Sequence, residues 1–310
     1  MDSDITNLIK KIKIDFANTL NEIKNYDMSF LNGIKNFNDN KKFYYNVNLL
    51  DNENLLDSEY ISQILKCSIW NSDYEIFIKF VSFCKDITFE NNILLKISLE
   101  GRGNNDSKLK IIDYLISNGI DVQCCDNYAI KIAAGLDLSI LNLIVEKGGN
   151  IHANDNFPLL NSIFSFNHNC LRYLVEQGVD PYYRDNLPFV LSCEDYNCEC
   201  IKYLIELGID VNIYNGYAIQ KAIKIKDFEL LTLLINNGGN MDYISDIDII
   251  VIIRKAELET IKFLIKNGLD LSRVNSISAN HFSKYIIERA NIILESGVDP
   301  IILSMILLKN

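Results

Sequence analysis

Three-residue apolar runs recur along the chain, each followed three positions later by a glycine. They are Tyr114-Leu115-Ile116, Leu143-Ile144-Val145, Tyr173-Leu174-Val175, Tyr203-Leu204-Ile205, Leu233-Leu234-Ile235, Phe263-Leu264-Ile265 and Ile292-Ile293-Leu294. The glycines are Gly119, Gly148, Gly178, Gly208, Gly238, Gly268 and Gly297, separated by 29, 30, 30, 30, 30 and 29 residues. Self-similarity at a fixed period is the mark of an array of stacked units, each too small to bury its own apolar face.

The segment Asn156 to Asp185 shows what one unit contains. Pro158, repeated as Pro188, suits the first position of a helix, where a missing N–H leaves no bond unmade. A short helix is expected from Leu159 to Phe164, then a polar turn at Asn167-His168-Asn169. A second helix is expected from Cys170 to Gln177, with Leu171, Leu174 and Val175 on one face. Glu199, Glu229 and Glu259 recur near the start of this second helix, where the helix dipole favours negative charge. The glycine ends the helix by taking a positive φ at no steric cost. Two residues later stand Asp121, Asn150, Asp180, Asp210, Asn240, Asp270 and Asp299, whose short side chains bond nearby backbone and set the turn.

The ends of the array are less regular. Residues Val81–Ser98 align with Ile116–Ala133 at an offset of 35, the excess falling in the polar insert Gly101–Ser107. A further pair is expected over Tyr60–Phe83 around Trp70-Asn71-Ser72-Asp73, giving about eight pairs, and Pro300–Leu308 reads as the first helix of a ninth. That last segment is strongly apolar, so it either folds back on the preceding pair or is covered by a partner. Residues 1–55 do not repeat and are assigned to a separate N-terminal cap and linker, with the array over 56–310. Ile5, Leu8, Ile9, Ile12, Phe16, Leu20 and Ile23 mark one apolar helical face, for which a cap over the first repeats is preferred to a coiled coil or a membrane-surface helix.

Composition narrows the function. With 30 Lys+Arg against 41 Asp+Glu, the net charge is −11, which opposes binding to phosphate backbones and favours a protein partner with a basic or mixed-charge surface. No apolar run approaches the roughly 18 residues of a membrane span, and the acidic start Met1-Asp2-Ser3-Asp4 is unlike a signal peptide. A cytoplasmic protein, the host's cytoplasm if the source is viral, that is a monomer or weak dimer and binds neither nucleic acid nor membrane is the expectation. Eight cysteines lack paired CxxC spacing; Cys193 with Cys198-Glu199-Cys200 is the sharpest metal candidate, and reduced apolar thiols are the preferred reading.

The columns resemble the ankyrin repeat. Its helix-ending Gly-Ala-Asp-Val-Asn is similar to Gly119-Ile120-Asp121-Val122 and Gly208-Ile209-Asp210-Val211-Asn212, and its Thr-Pro-Leu-His to Phe157-Pro158-Leu159-Leu160 and Leu187-Pro188-Phe189-Val190. No copy keeps the threonine cap, and the period is three residues short of the usual 33. Counting from glycine to proline places the shortening in the hairpin finger loop. The short period, the Ile/Lys/Asn-rich composition and the segment Asp126–Ala133 are similar to ankyrin proteins of AT-rich giant DNA viruses of the mimivirus type.

The resemblance implies an all-α helix-turn-helix solenoid with short finger loops, acting as a non-catalytic scaffold without cofactor or metal. Its partner surface would be the concave face of finger loops and first helices. Carried over by position, the finger column gives Asn154, Arg184, Tyr214, Ile244 and Val274, preceded by Tyr183, Ile213, Tyr243 and Arg273. The ends of the first helices give Phe164 and Ser165, Glu194 and Asp195, Lys224, and Arg254 with Lys255. Of these, Asn154, Phe164, Tyr183, Arg184, Glu194, Asp195, Tyr214, Lys224, Tyr243, Arg254 and Lys255 form the candidate site. Aromatic residues and arginine are what interface hot spots favour. The three histidines, His152, His168 and His281, fall in different units, with no nucleophile at triad-like spacing and no phosphate-binding glycine loop, so catalysis is not expected. The alternative function is an adaptor that recruits a host ubiquitin ligase through a terminal segment, although residues 1–55 carry no F-box or BTB pattern.

Overall fold

The computed structural model describes residues 10, 11, 13, 14, 58–276 and 292–307. Apart from those four early residues, the expected N-terminal cap and linker lie outside the described residues, as does His281. The chain divides between Asp180 and Pro181 into two compact units. In the first are α1 (Ser58–Trp70), α2 (Tyr74–Val81), α3 (Phe89–Glu100), α4 (Asn105–Ser117), α5 (Cys124–Leu136), α6 (Leu138–Glu146), α7 (Ala153–Phe164) and α8 (His168–Glu176). Here α1, α3, α5 and α7 stack in sequence, with α2, α4, α6 and α8 forming a second row.

The second unit contains α9 (Tyr183–Glu194), α10 (Cys198–Glu206), α11 (Ile213–Ile225), α12 (Phe228–Asn236), α13 (Asp246–Lys255) and α14 (Leu258–Lys266). After a 3-10 turn at Leu271–Ser276 comes α15 (Pro300–Leu307). The first helices α9, α11 and α13 stack, α12 meets α14, and α15 packs on α13. The apolar C-terminal helix therefore folds back, burying Leu303 while leaving Ile301 65% exposed.

The triplets sort by burial. Their middle residues, Leu115, Ile144, Leu174, Leu204, Leu234, Leu264 and Ile293, are all 0% exposed. Each such side chain contributes about 1.5–3 kcal/mol by leaving water. The flanking members are mostly half-buried, so one residue per repeat, rather than three, is fully enclosed. Every glycine that follows has φ between 86° and 105°, as its role as a helix stop requires. Behind it the Asx side chain accepts a backbone N–H two residues on: Asp121 from Gln123, Asn150 from His152, Asp210 from Asn212 and Asp270 from Ser272, at 2.8–3.0 Å.

The second helices start earlier than expected. His168 belongs to α8, not to a turn, because the Asn167 side chain caps that helix by accepting from the Cys170 N–H. The same cap recurs at Asp73, Asn104, Asp137, Asn197 and Asp227. Each of these satisfies an N–H that the first turn leaves without an intrahelical partner.

The largest departure is the finger. No strand occurs among the described residues, and the expected hairpin is replaced by a single left-handed turn. Three consecutive residues adopt positive φ at Glu90-Asn91-Asn92, Cys125-Asp126-Asn127, Asn154-Asp155-Asn156, Arg184-Asp185-Asn186 and Tyr214-Asn215-Gly216. The third residue closes the turn by donating its N–H to the carbonyl four residues back, in Asn92 to Thr88, Asn127 to Gln123, Asn156 to His152, Asn186 to Tyr182 and Gly216 to Asn212. Left-handed backbone costs an ordinary L-residue about 1–2 kcal/mol, and Asn, Asp and Gly reduce that cost. This explains why the second and third positions hold only Asn, Asp or Gly. Before α13 the device is absent, and Ser245 with Asp248 forms a capping box instead.

The turn predicts a specific mutational pattern at Asn186, which has φ 65°. Asn186→Val is expected to lose about 1–2 kcal/mol in urea unfolding, and Asn186→Gly to recover most of it. Equal stability of the two variants would contradict the left-handed geometry.

Candidate partner-binding site

The left-handed turns present their first residue outward, yet several of those side chains reach the neighbouring repeat. In the first unit the Asn154 amide donates to the Asp126 carboxylate at 2.8 Å, and Cys125 Sγ to the Asn91 carbonyl at 3.2 Å. Within the second unit Tyr214 Oη donates to the Asp185 carbonyl at 3.1 Å. Burial, and then the Asp185 charge, raises the Tyr214 phenol above its ordinary range. Arg273 bonds the Asp246 carboxylate and the Ile244 carbonyl, each at 2.9 Å.

Helix ends are tied across repeats by the column that precedes the turn. Gln123 donates to the Gly148 carbonyl at 2.7 Å, Tyr182 to Leu207 at 2.6 Å and Asn212 to Gly238 at 2.9 Å. These bonds satisfy carbonyls that a helix C-terminus leaves without an intrahelical donor.

The finger column expected to line a groove is therefore divided. Ile244 and Val274 are 0% exposed and belong to the core, so their carry-over to the binding surface is corrected. Beyond the fifth left-handed turn the chain bends through 3-10 turns instead, which turn these side chains inward. Tyr243 is half-buried with its ring against Gly216, where an added Cβ would come within 2.4 Å of it. Arg184 stays exposed, and its guanidinium stands 5.2 Å from the half-buried Tyr183 ring.

At the ends of the first helices, Glu194 accepts from Tyr217 Oη and pairs with Lys221 Nζ. Burial and this hydrogen bond push the Tyr217 phenol far above its usual range. The same relation joins Tyr128 to Glu100 in the first unit. Asp195 is half-buried, and Phe164 likewise at the equivalent of Glu194 in the first unit. Lys224 and Lys255 are exposed and Arg254 half-buried, at the ends of the stacked helices α11 and α13. Sequence reasoning passed over Tyr196, which is 43% exposed, left-handed at φ 59°, and carries Lys221 Nζ 5.3 Å from its ring. Its signal was its place immediately before the Asn197 cap.

Residues 127–215 match the family model of ankyrin repeats, in three copies. Over these residues the chain is similar to ankyrin repeats. A protein of Acanthamoeba polyphaga mimivirus, itself named for ankyrin repeats, is 30% identical over 128 residues. That match covers 39% of this chain and 42% of the relative's length. Ankyrin repeats generally mediate protein–protein interaction and are typically non-enzymatic.

The chemistry of the side chains within these ankyrin repeats can be described directly. Among the described residues, no group of three or more His, Cys, Asp or Glu is placed to hold a metal ion. Cys193 and Cys200 are 0% exposed, and burial pushes both thiols up, that of Cys200 to about 12. They sit as apolar side chains on α9 and α10. His152 Nδ1 lies 2.8 Å from Asn156 Oδ1, inside its own turn.

The inter-repeat bonds make Tyr214 and Tyr217 structural residues. Tyr214→Phe is expected to lose about 0.5–1.5 kcal/mol of stability, and Tyr217→Phe, which removes a donor from a carboxylate, about 1.5–3 kcal/mol. Urea unfolding of the two variants beside the wild type checks this order; no loss in either would mean that the bonds are incidental.

Proposed function

We propose that the chain is a non-catalytic scaffold for a protein partner, and that in the second unit the partner meets the ridge where successive first helices end. That ridge comprises Asp195, Tyr196, Lys224, Arg254 and Lys255. Arg184 stands apart from it at the opposite end of α9, and Phe164 is the equivalent position in the first unit. Asn154, Glu194, Tyr214 and Tyr243 are left out of the contact surface, because their side chains are engaged with neighbouring repeats.

One observation carries the reading. The ammonium groups of Lys224, Lys226 and Lys255 have no hydrogen-bond or ion-pair partner among the described residues. Several lysines elsewhere in the repeats are paired, Lys131 to Asp126, Lys147 to Asp113 and Lys221 to Glu194 among them. An acidic chain of net charge −11 thus keeps these lysines without a partner at the ends of two successive first helices, α11 and α13. Complementary charge steers association and sets register, while an exposed aromatic such as Tyr196 supplies anchoring area. Asp195, Asp227 and Glu257 punctuate the row, so the fitting partner surface is of mixed charge with its acidic part over the lysines. A cytoplasmic setting is part of the same proposal and is supported by eight free cysteines. The ubiquitin-ligase adaptor reading depends on residues 1–55, which lie almost wholly outside the described residues.

The test compares partners captured by proximity labelling with wild type, with Lys224→Glu/Arg254→Glu/Lys255→Glu, and with a control reversal, Lys262→Glu/Lys266→Glu, on the second helix. All three are to be matched by helical circular dichroism. Proteins lost from the ridge variant and kept by the control are expected. An identical set from all three would overturn the ridge.

A further inference from the structure

A cavity of about 410 Å³ opens at the ends of three successive first helices of the first unit. Its apolar wall is Leu99, Ile132 and Leu136, and its polar wall is Glu100, Lys108, Asn161 and Ser165. Gly135 makes room for the polar wall: a Cβ there would stand 2.5 Å from Ser165 Oγ and 2.7 Å from the Asn161 amide nitrogen. This glycine needs no special φ, so its missing side chain matters for room and not for conformation. The polar insert after α3 supplies Gly101 to the same wall.

Lys108 is the unusual member. It is 8% exposed, and its ammonium has neither a hydrogen-bond nor an ion-pair partner among the described residues. Burial alone lowers its pKa from the usual lysine range, with no opposing charge contributing. The other charge in the wall is already answered. Glu100 accepts from Tyr128 Oη and partly offsets the lowering that burial imposes on the pKa of Lys96, whose ammonium lies 5.2 Å from the Tyr128 ring. Asn161 spends one amide hydrogen on the Lys131 carbonyl at 2.7 Å. The Ser165 hydroxyl donates to Asn161 Oδ1 at 3.4 Å, which orients that amide, and the second amide hydrogen of Asn161 remains for a ligand. A buried cation without a counter-charge is costly, and an anion that enters with it relieves that cost.

We propose that this cavity binds a monocarboxylate with a compact apolar body. The carboxylate meets the Lys108 ammonium and the Asn161 amide, which Ser165 orients, and Leu99, Ile132 and Leu136 cover the body. The volume falls in the range of small-molecule pockets. Such a group is carried equally by a free organic acid and by the C-terminus of a peptide ending in an apolar residue. The site lies in the first unit and does not depend on the ridge of the second.

The experiment is an amide-resolved NMR titration of the full, deuterated chain with phenylacetate, phenylacetamide, and N-acetyl-Gly-Phe as its free acid and its amide. Saturable shifts at Gly101, Gly135 and Ser165 are expected with the acids, and at least tenfold weaker ones with the amides. Lys108→Met removes an unpaired buried charge, so it is expected to fold with an unchanged or higher melting temperature and to lose carboxylate affinity at least tenfold. Leu136→Glu, at a rim position 42% exposed, places a carboxylate opposite the ammonium and is expected to weaken binding similarly. Tighter binding of the peptide acid assigns the site to a chain terminus, and binding of phenylacetate alone assigns it to a free acid. No saturable shift with either acid, equal binding of acid and amide, or full affinity in Lys108→Met with its fold intact would overturn the proposal.

Discussion

A two-helix unit of about 30 residues exposes an apolar face that it cannot cover by itself, and every other feature of this chain follows from having to place the next unit against it. The enclosed row from Leu115 to Ile293 is the direct expression of that constraint. Stacking requires each pair to return to the same orientation, so the connection between pairs has to be short, closed and alike in each repeat. The positive-φ glycine, the Asx turn behind it and the left-handed turn before the next helix together meet this need.

The left-handed turn is a compact answer with consequences for function. Three consecutive residues at positive φ are unfavourable on local grounds, and the neighbouring repeat helps to hold them, through Asn154 to Asp126 and Tyr214 to Asp185. Side chains that a longer hairpin would present to a partner are here spent on the stack. The surface proposed for recognition lies at the other end of the first helices, where Lys224 and Lys255 end α11 and α13.

Much of the fold was legible because it is periodic. Seven glycines and seven apolar triplets at one spacing specify the number, order and facing of helices, and the Asx column two residues on specifies a turn. The handedness of the finger was not legible, because Asn, Asp and Gly mark a turn without stating which one. The caps Asp73, Asn104, Asp137, Asn167, Asn197 and Asp227 were in plain view as a column of Asn and Asp before an apolar run, but the polar residues after Asn167 drew the turn too far along the chain. Burial of Ile244 and Val274 could not be read from their column, since its other members face outward. Pairings such as Tyr217 with Glu194 link columns of successive repeats, and a single sequence shows columns but not their contacts. The cavity depends on which side chains from three successive first helices end beside one another, and columns in a sequence do not show that.

The claim on which the account rests is that one left-handed turn, closed by a bond four residues back, has replaced the finger hairpin. Intraresidue HN–Hα distances and amide exchange at residues 125–127, 154–156 and 184–186 test it directly. The account predicts the short HN–Hα distances of positive φ at all nine residues, with slow exchange confined to the third amide of each turn, at Asn127, Asn156 and Asn186. Long intraresidue distances with protection alternating along the segment, as in paired extended strands, would contradict it.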